Sequence, residues 1–144
     1  MKSELHQPEV LAASVVELVQ EFDFVDRVII ESFDFTALAI VKRIDPGIRL
    51  AALFEPKLQR SFSVLKPSAV VELARNVGAA EIALHRSMVR PRVIATAGSY
   101  GLPIVAWTVD DPKWIDRARS LGIKALITND PHKMVQARSR SQNQ

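Results

Sequence analysis

Short apolar runs alternate with longer mixed segments along most of the chain. The runs are rich in Val, Ile, Leu and Ala and have the length of buried strands; they cover residues 27–32, 48–54, 80–85, 103–109 and 124–128. The segments between them are long enough for helices. A strand followed by a helix is the repeating unit of a parallel sheet, so the pattern predicts a single α/β domain of about five strands over residues 1–144.

Helix boundaries are marked by proline, aspartate and glycine. Four prolines suit the first turn of a helix, where a missing N–H removes no hydrogen bond: Pro67, Pro91, Pro112 and Pro131. Asp34, Asp111 and Asp130 stand where side chains cap helices. Gly78, Gly101 and Gly122 follow predicted helices, where a left-handed residue is favoured. We also expect helices over residues 8–22 and 35–43, and a polar excursion over residues 55–66.

Two architectures fit this order. The strands could form part of a TIM-type (β/α) barrel, or they could form an open doubly wound sheet. Polar or large aromatic side chains stand near the carboxyl ends of three predicted strands: Glu31 and Phe33, His85, and Trp107. Both folds place their sites at that edge.

Composition narrows the class of protein. The chain is 48% hydrophobic and 24% charged, has no cysteine and carries a formal charge of +3, which excludes a disulfide scaffold and gives no indication of nucleic-acid binding. No apolar run approaches the ~20 residues of a membrane span, and residues 1–10 lack the apolar core of a signal peptide, so we expect a cytoplasmic protein. The polar, basic residues 136–144 are expected to be a disordered tail.

Three segments carry a resemblance to the glycerophosphodiester phosphodiesterase family. Residues 28–34 (Val-Ile-Ile-Glu-Ser-Phe-Asp) resemble a strand and Ser-Phe-Asp turn of that family. Residues 101–112, which include Trp107-Thr108-Val109, resemble its seventh strand. Residues 121–131, which include Ile127-Thr128-Asn129-Asp130-Pro131, resemble its closing strand. The resemblance implies that this chain corresponds to strands four to eight of the barrel.

The resemblance also implies what these strands do not carry. In the family, the first three strands supply His-Arg-Gly, Glu-x-Asp, a second histidine and a later Glu-x-Lys, which bind a divalent metal (Mg or Ca) and provide acid–base groups. Glu21-Phe22-Asp23 has the spacing of the second motif but lies at a helix end, and His85-Arg86-Ser87 belongs to the sixth strand. We therefore expect no metal or catalytic residue in this chain, which would be inactive or very weak alone.

Four residues are expected to line a substrate site. Trp107 would line the pocket by resemblance, Phe33 would form a wall or a plug, and His85 would hydrogen-bond a phosphate or make a structural contact. Glu31 is an inward carboxylate where the family has small or amide side chains, so it would repel a phosphate. One carboxylate is not enough for a hard cation, which needs several oxygen ligands.

Three functions remain open. The resemblance implies metal-dependent hydrolysis of glycerophosphodiesters to glycerol 3-phosphate and an alcohol, in lipid metabolism. The second reading is a non-catalytic barrel remnant or binding module, and the third is an open sheet that binds a small ligand. In any of them two parallel edges are left unpaired, so we expect self-association, including a homodimer.

Overall fold

Helices and strands alternate through residues 7–56 and 66–142, which the computed structural model describes. The strands are β1 (Ile29–Ser32), β2 (Arg49–Phe54), β3 (Glu81–His85), β4 (Ile104–Trp107) and β5 (Ala125–Leu126). The helices are α1 (Pro8–Glu21), α2 (Phe35–Ile44), α3 (Pro67–Asn76), α4 (Pro91–Ser99), α5 (Trp114–Leu121) and α6 (Pro131–Gln142). The excursion expected over residues 55–66 lies mostly outside the described residues.

The five strands form one parallel sheet in the order of the sequence, β1-β2-β3-β4-β5. Every crossover therefore moves in the same direction, and right-handed crossovers then put all connecting helices on one face. A doubly wound sheet needs a reversal of strand order, which this sheet lacks. The partial barrel is confirmed, and the doubly wound alternative is wrong.

The two faces of the sheet differ in what covers them. One face carries Leu50, Ile82 and Leu84, which are fully buried in the hydrophobic core beneath the helices. The opposite face, which we call the inner face, carries Glu31, Ala51 and Glu81 in one row across three strands, with His85 and Trp107 nearer the carboxyl ends. Because right-handed crossovers put the connecting helices on the core side, the inner face is the side that a complete barrel encloses.

The sheet curls toward the inner face. The rings of Phe33, just after β1, and Trp107, at the end of β4, lie 5.5 Å apart between centroids. Adjacent strands are separated by about 4.8 Å, so β1 and β4 stand three such spacings apart along the sheet. The side chains meet because the sheet is curved as in a barrel wall and because Trp107 leans back over β3.

Most predicted helix boundaries are confirmed. The Asp34 side chain accepts hydrogen bonds from the backbone N–H groups of Thr36 (2.9 Å) and Ala37 (3.1 Å) at the start of α2. Gly122 ends α5 at φ 69°, the left-handed conformation that glycine adopts without steric cost. The predicted start at Pro112 is wrong by two residues, because Asp111 accepts from the N–H of Lys113 in a turn that precedes α5.

The chain end differs from the expected disordered tail. Residues 136–142 continue α6, and only residues 143 and 144 of that segment lie outside the described structure. The hydroxyl of Ser141 donates to Asp116 at 2.7 Å and accepts from Arg119 at 2.8 Å, so polar side chains on α5 hold this last turn. No helix in residues 7–56 and 66–142 is long and apolar enough to cross a bilayer. The cytoplasmic location stays a prediction.

Candidate functional site

Phe33, His85 and Trp107 come together at the carboxyl end of the inner face. The His85 and Trp107 rings lie 5.2 Å apart at 79°, and the Phe33 and Trp107 rings meet edge to face at 69°. Edge-to-face contacts of this kind are favourable because the positive ring edge meets the negative ring face. The three side chains, which we call the ring cluster, form one continuous wall.

The sequence around Phe33 explains why this side chain stays at the rim. The hydroxyl oxygen of Ser32 accepts from the N–H of Asp34 at 2.9 Å, which closes a tight turn directly after β1. Asp34 then caps α2, so the chain is held on both sides of Phe33. As a result Phe33 is 40% exposed, and its ring covers Trp107 without entering the core.

His85 and Trp107 are each held by a hydrogen bond. The backbone N–H of Ser87 donates to Nδ1 of His85 at 3.3 Å, and the Ser87 hydroxyl lies 2.8 Å from the same nitrogen. Because a backbone N–H can only donate, Nδ1 is the acceptor, and Nε2 carries the proton of the neutral ring. Trp107 donates from Nε1 to the carbonyl oxygen of Ala83 at 3.1 Å, which fixes the indole over β3.

Glu31 lies on the same face, but the group that influences its charge is a second glutamate, Glu81, and not a member of the ring cluster. It stands in one row with Ala51 and Glu81, two residues before Phe33. Glu81 is 4% exposed, and its carboxylate contacts the Lys124 ammonium. Partial burial, and secondly the negative charge of Glu81, raise the pKa of Glu31 above its usual value of 4.5. Glu31 is therefore neutral over a wider pH range than an isolated glutamate.

Glu31→Gln is expected to change the pH dependence of stability. A raised pKa stabilises the folded state below the unfolded-state value, and this contribution is lost as pH rises through the folded value. The variant should therefore match the wild type at pH 3 and become the more stable protein as pH rises toward 7. Denaturant unfolding across that range, with exposed Glu72→Gln as control, measures the difference in the free energy of unfolding. A difference that does not vary with pH would contradict this account.

Asp110 joins the ends of the last two strands, a role that the sequence did not indicate. Its Oδ1 accepts from the Thr128 hydroxyl and from the Asn129 backbone N–H, both at 2.8 Å, and its Oδ2 accepts from the Asn129 side chain at 3.0 Å. Lys133 donates to the Asp110 carbonyl oxygen at 3.0 Å. Asp130, which the sequence predicts as a cap, does cap α6 through the N–H of Lys133.

Asp110→Asn is expected to destabilise the protein with the opposite pH dependence. The three donated hydrogen bonds, chiefly that from the Asn129 N–H, hold the pKa of Asp110 below its usual 3.8. Such a group stabilises the folded state above the unfolded pKa and loses this effect as pH falls. The variant should melt at a lower temperature than the wild type at pH 7. This difference in melting temperature should shrink as pH falls below about 3.8. A difference in melting temperature that stays constant with pH, or an equal effect of exposed Glu72→Gln, would argue against the bridge.

A cleft of about 500 Å³ is lined mainly by residues that follow the carboxyl ends of β3 and β4. Its lining includes two cations, Arg86 and Lys133, together with Asp110, Asp111 and Trp114. Arg86 donates to the carbonyl oxygen of Thr108 at 2.8 Å, so its guanidinium is held at the residue that follows Trp107. The remaining N–H groups of a guanidinium in this position suit an anionic ligand.

A divalent metal does not fit the described residues. Within residues 7–56 and 66–142, no three His, Cys, Asp or Glu side chains converge as a metal site requires. Glu31 and Glu81 are two neighbouring carboxylates, and Lys124 already neutralises the second. We therefore assign no chemical step of this chain to a metal.

Comparison with known proteins identifies the family to which this chain belongs. The sequence model described as the glycerophosphoryl diester phosphodiesterase family matches residues 1–133. A glycerophosphodiester phosphodiesterase of Caldanaerobacter subterraneus is 23% identical over 84% of this chain and 46% of its own length. The chain thus spans about half the length of the curated relatives that it matches.

Solved structures show the same fold. A glycerophosphodiester phosphodiesterase from Parabacteroides distasonis superimposes with a TM-score of 0.75 at 20% identity, over 99% of this chain and 56% of that chain. A phosphodiesterase from Oleispira antarctica, in complex with the product sn-glycerol-3-phosphate, gives 0.76 at 20% identity, over 92% of this chain and 50% of that one. With a family match over most of its length, this chain belongs to the glycerophosphoryl diester phosphodiesterase family.

Proposed function

We propose that the ring cluster and Arg86 form the surface on which this chain holds a glycerophosphodiester or its glycerol 3-phosphate product. The observation that carries the proposal is the convergence of Phe33, His85 and Trp107 at the carboxyl ends of parallel strands. Barrels of this type carry their sites at that edge. The product bound by the Oleispira antarctica relative supports the ligand class.

Each side chain has a role that suits such a ligand. The ring edges of Trp107 and Phe33 offer apolar contact to the glycerol carbons, while Nε2 of His85 and the Arg86 guanidinium donate to phosphate oxygens. Glu31 would repel a phosphate when ionised. Protonation of Glu31 removes that repulsion, and its raised pKa makes protonation occur at a higher pH than in an isolated glutamate, so we expect binding to tighten as Glu31 becomes protonated.

A binding measurement tests this surface. Calorimetric titration with sn-glycerol 3-phosphate should give a measurable affinity for the wild type and none for Trp107→Ala. His85→Ala should weaken binding about tenfold, as expected when one charge-assisted hydrogen bond is lost. Tyr100→Ala removes an exposed aromatic ring after α4 and serves as the matched control. Equal affinity in the wild type and Trp107→Ala would refute the proposed surface.

Hydrolysis of the glycerophosphodiester is the second part of the proposal, after binding. The family activity releases glycerol 3-phosphate and an alcohol, and we propose that it requires a divalent metal and acid–base groups that this chain does not supply by itself. With glycerophosphocholine and Mg²⁺ or Ca²⁺, the chain alone should release glycerol 3-phosphate no faster than buffer. Turnover by the chain alone that EDTA abolishes would contradict this proposal.

A non-catalytic binding module is the second candidate function. It is favoured by the lack of a three-residue metal cluster among residues 7–56 and 66–142. The two candidates share the binding surface and both predict no turnover by the chain alone. They differ in whether hydrolysis appears once the metal ligands and acid–base groups that this chain does not supply are provided. Self-association belongs to either proposal, because β1 and β5 each leave one edge unpaired within the described sheet.

A further inference from the structure

Helix α1 carries an apolar stripe that no described part of the chain covers. Ala12, Val16 and Val19 pack toward the core, whereas Leu11, Val15, Leu18 and Phe22 recur at a spacing of four, three and four residues on another side. Leu11, Leu18 and Phe22 are 62%, 53% and 61% exposed. A contiguous exposed stripe of large apolar residues is typical of an interaction surface.

The surroundings of this stripe are acidic. Residues 8–27, which form α1 and the following turn, hold five acidic residues and one basic residue: Glu9, Glu17, Glu21, Asp23, Asp26 and Arg27. All of these side chains are exposed. β1, the strand that follows this segment, is the edge strand at this end of the sheet, and its outer edge is unpaired within the described sheet. We call this surface the acidic edge.

The β5 end of the sheet carries an apolar groove surrounded by basic residues, which complements the acidic edge. Between α5 and α6, beside the unpaired edge of β5, lies a groove of about 400 Å³. It is lined by apolar residues, among them Ile115, Ile123, Leu126, Met134 and Val135. Arg119, Lys124 and Arg138 stand around it. Residues 113–142 contain seven basic residues and two acidic ones, so we call this surface the basic edge.

We propose that the acidic edge of one copy of this chain docks on the basic edge of a second copy. The α1 stripe would enter the apolar groove, and the opposite charges around them would meet. β1 of one copy and β5 of the other each bring unpaired backbone N–H and C=O groups, which extend the parallel sheet across the contact. Pairing of two acidic edges would instead place like charges opposite one another.

Two copies suffice to cover both edges. Each copy has one edge of each kind, so a two-fold arrangement makes two identical contacts and leaves no open strand. The curvature of the sheet toward the inner face favours closure, because it turns both edges of one copy toward a facing copy. The inner faces of the two copies then enclose a common interior.

Sedimentation and light scattering of charge-reversal variants test this contact. The wild type should have twice the 16.0 kDa of the chain and should dissociate as salt is added. Glu17→Lys/Glu21→Lys and Arg119→Glu/Arg138→Glu should each be monomeric. An equimolar mixture of the two variants should form dimers again, because the wild-type edges match and the two reversed edges also match. Glu72→Lys/Arg92→Glu, on α3 and α4, should remain dimeric.

Several results would overturn the proposal. A wild type that is monomeric at every soluble concentration, assemblies that grow beyond two copies, or a mixture that stays monomeric would each do so. Loss of the dimer only on changing the acidic edge would indicate an α1–α1 contact instead. Leu18→Gln tests the contact without a change of charge, at a position that is exposed. Its circular dichroism should match that of the wild type, whereas its dimerisation should be weaker. A dimer as stable as that of the wild type would count against the contact.

Discussion

Leu84→Ala is expected to lower the free energy of unfolding by about 2–5 kcal/mol, the cost of deleting a fully packed leucine and leaving a cavity. Leu84 lies in β3 on the face that the helices cover and has no exposed surface. It belongs to the hydrophobic core formed with side chains of the helices, such as Leu38 and Val70. Urea unfolding at one fixed protein concentration measures the loss.

Leu53→Ala is the matched control for this prediction. Leu53 lies in the neighbouring strand β2 but on the inner face, where it is only half-buried. The same atoms are deleted, yet less packing is lost, so the cost should fall below about 2 kcal/mol. Equal losses for Leu53 and Leu84 would mean that the inner face is packed as tightly as the helical side. That outcome would contradict the looser packing described for Leu53.

Trp107→Ala is expected to give the second large effect, about 2–3 kcal/mol of lost stability, which is less than the 3–5 kcal/mol typical of a fully buried aromatic residue. The change removes the edge contacts with Phe33 and His85 and the hydrogen bond to the Ala83 carbonyl. Because the ring cluster also forms the proposed ligand surface, binding of glycerol 3-phosphate should be lost in the same variant.

Trp107→Phe separates the two contributions of the indole. Phenylalanine keeps an aromatic ring beside Phe33 and His85 but has no N–H to donate to Ala83. This variant should lose only about 1 kcal/mol, the net value of one hydrogen bond, and should retain weakened binding. If Trp107→Ala unfolds with the stability of the wild type, the indole does not hold the inner face as described here.

The sequence predicted the elements well because their signals are local. Asp34 beside Phe35 and Gly122 after Leu121 are each a few residues from the boundary they set, so capping chemistry is readable without tertiary information. Strand order depends instead on contacts between distant residues, and the runs alone left two architectures open. Ser141 shows the same limit, since its partners Asp116 and Arg119 lie on another helix.

The candidate site was also predicted in part. Phe33, His85 and Trp107 stand at strand ends, and the parallel arrangement brings such ends to one edge. Asp110 was not identified from the sequence, because its partners, Thr128 and Asn129, are distant along the chain and follow the next strand. That position at the ends of two consecutive strands was the signal that could have identified the bridge.

The central claim is that the ring cluster binds the glycerol phosphate ligand, and the indole N–H signal of Trp107 in a ¹⁵N–¹H spectrum tests it most directly. The signal is assigned by its loss in Trp107→Phe, and sodium sulfate at equal ionic strength serves as the control anion. On addition of sn-glycerol 3-phosphate we predict that this signal shifts until saturation, and by more than the signal of Trp114. A Trp107 signal that stays in place, or that shifts equally with sulfate, would contradict the claim.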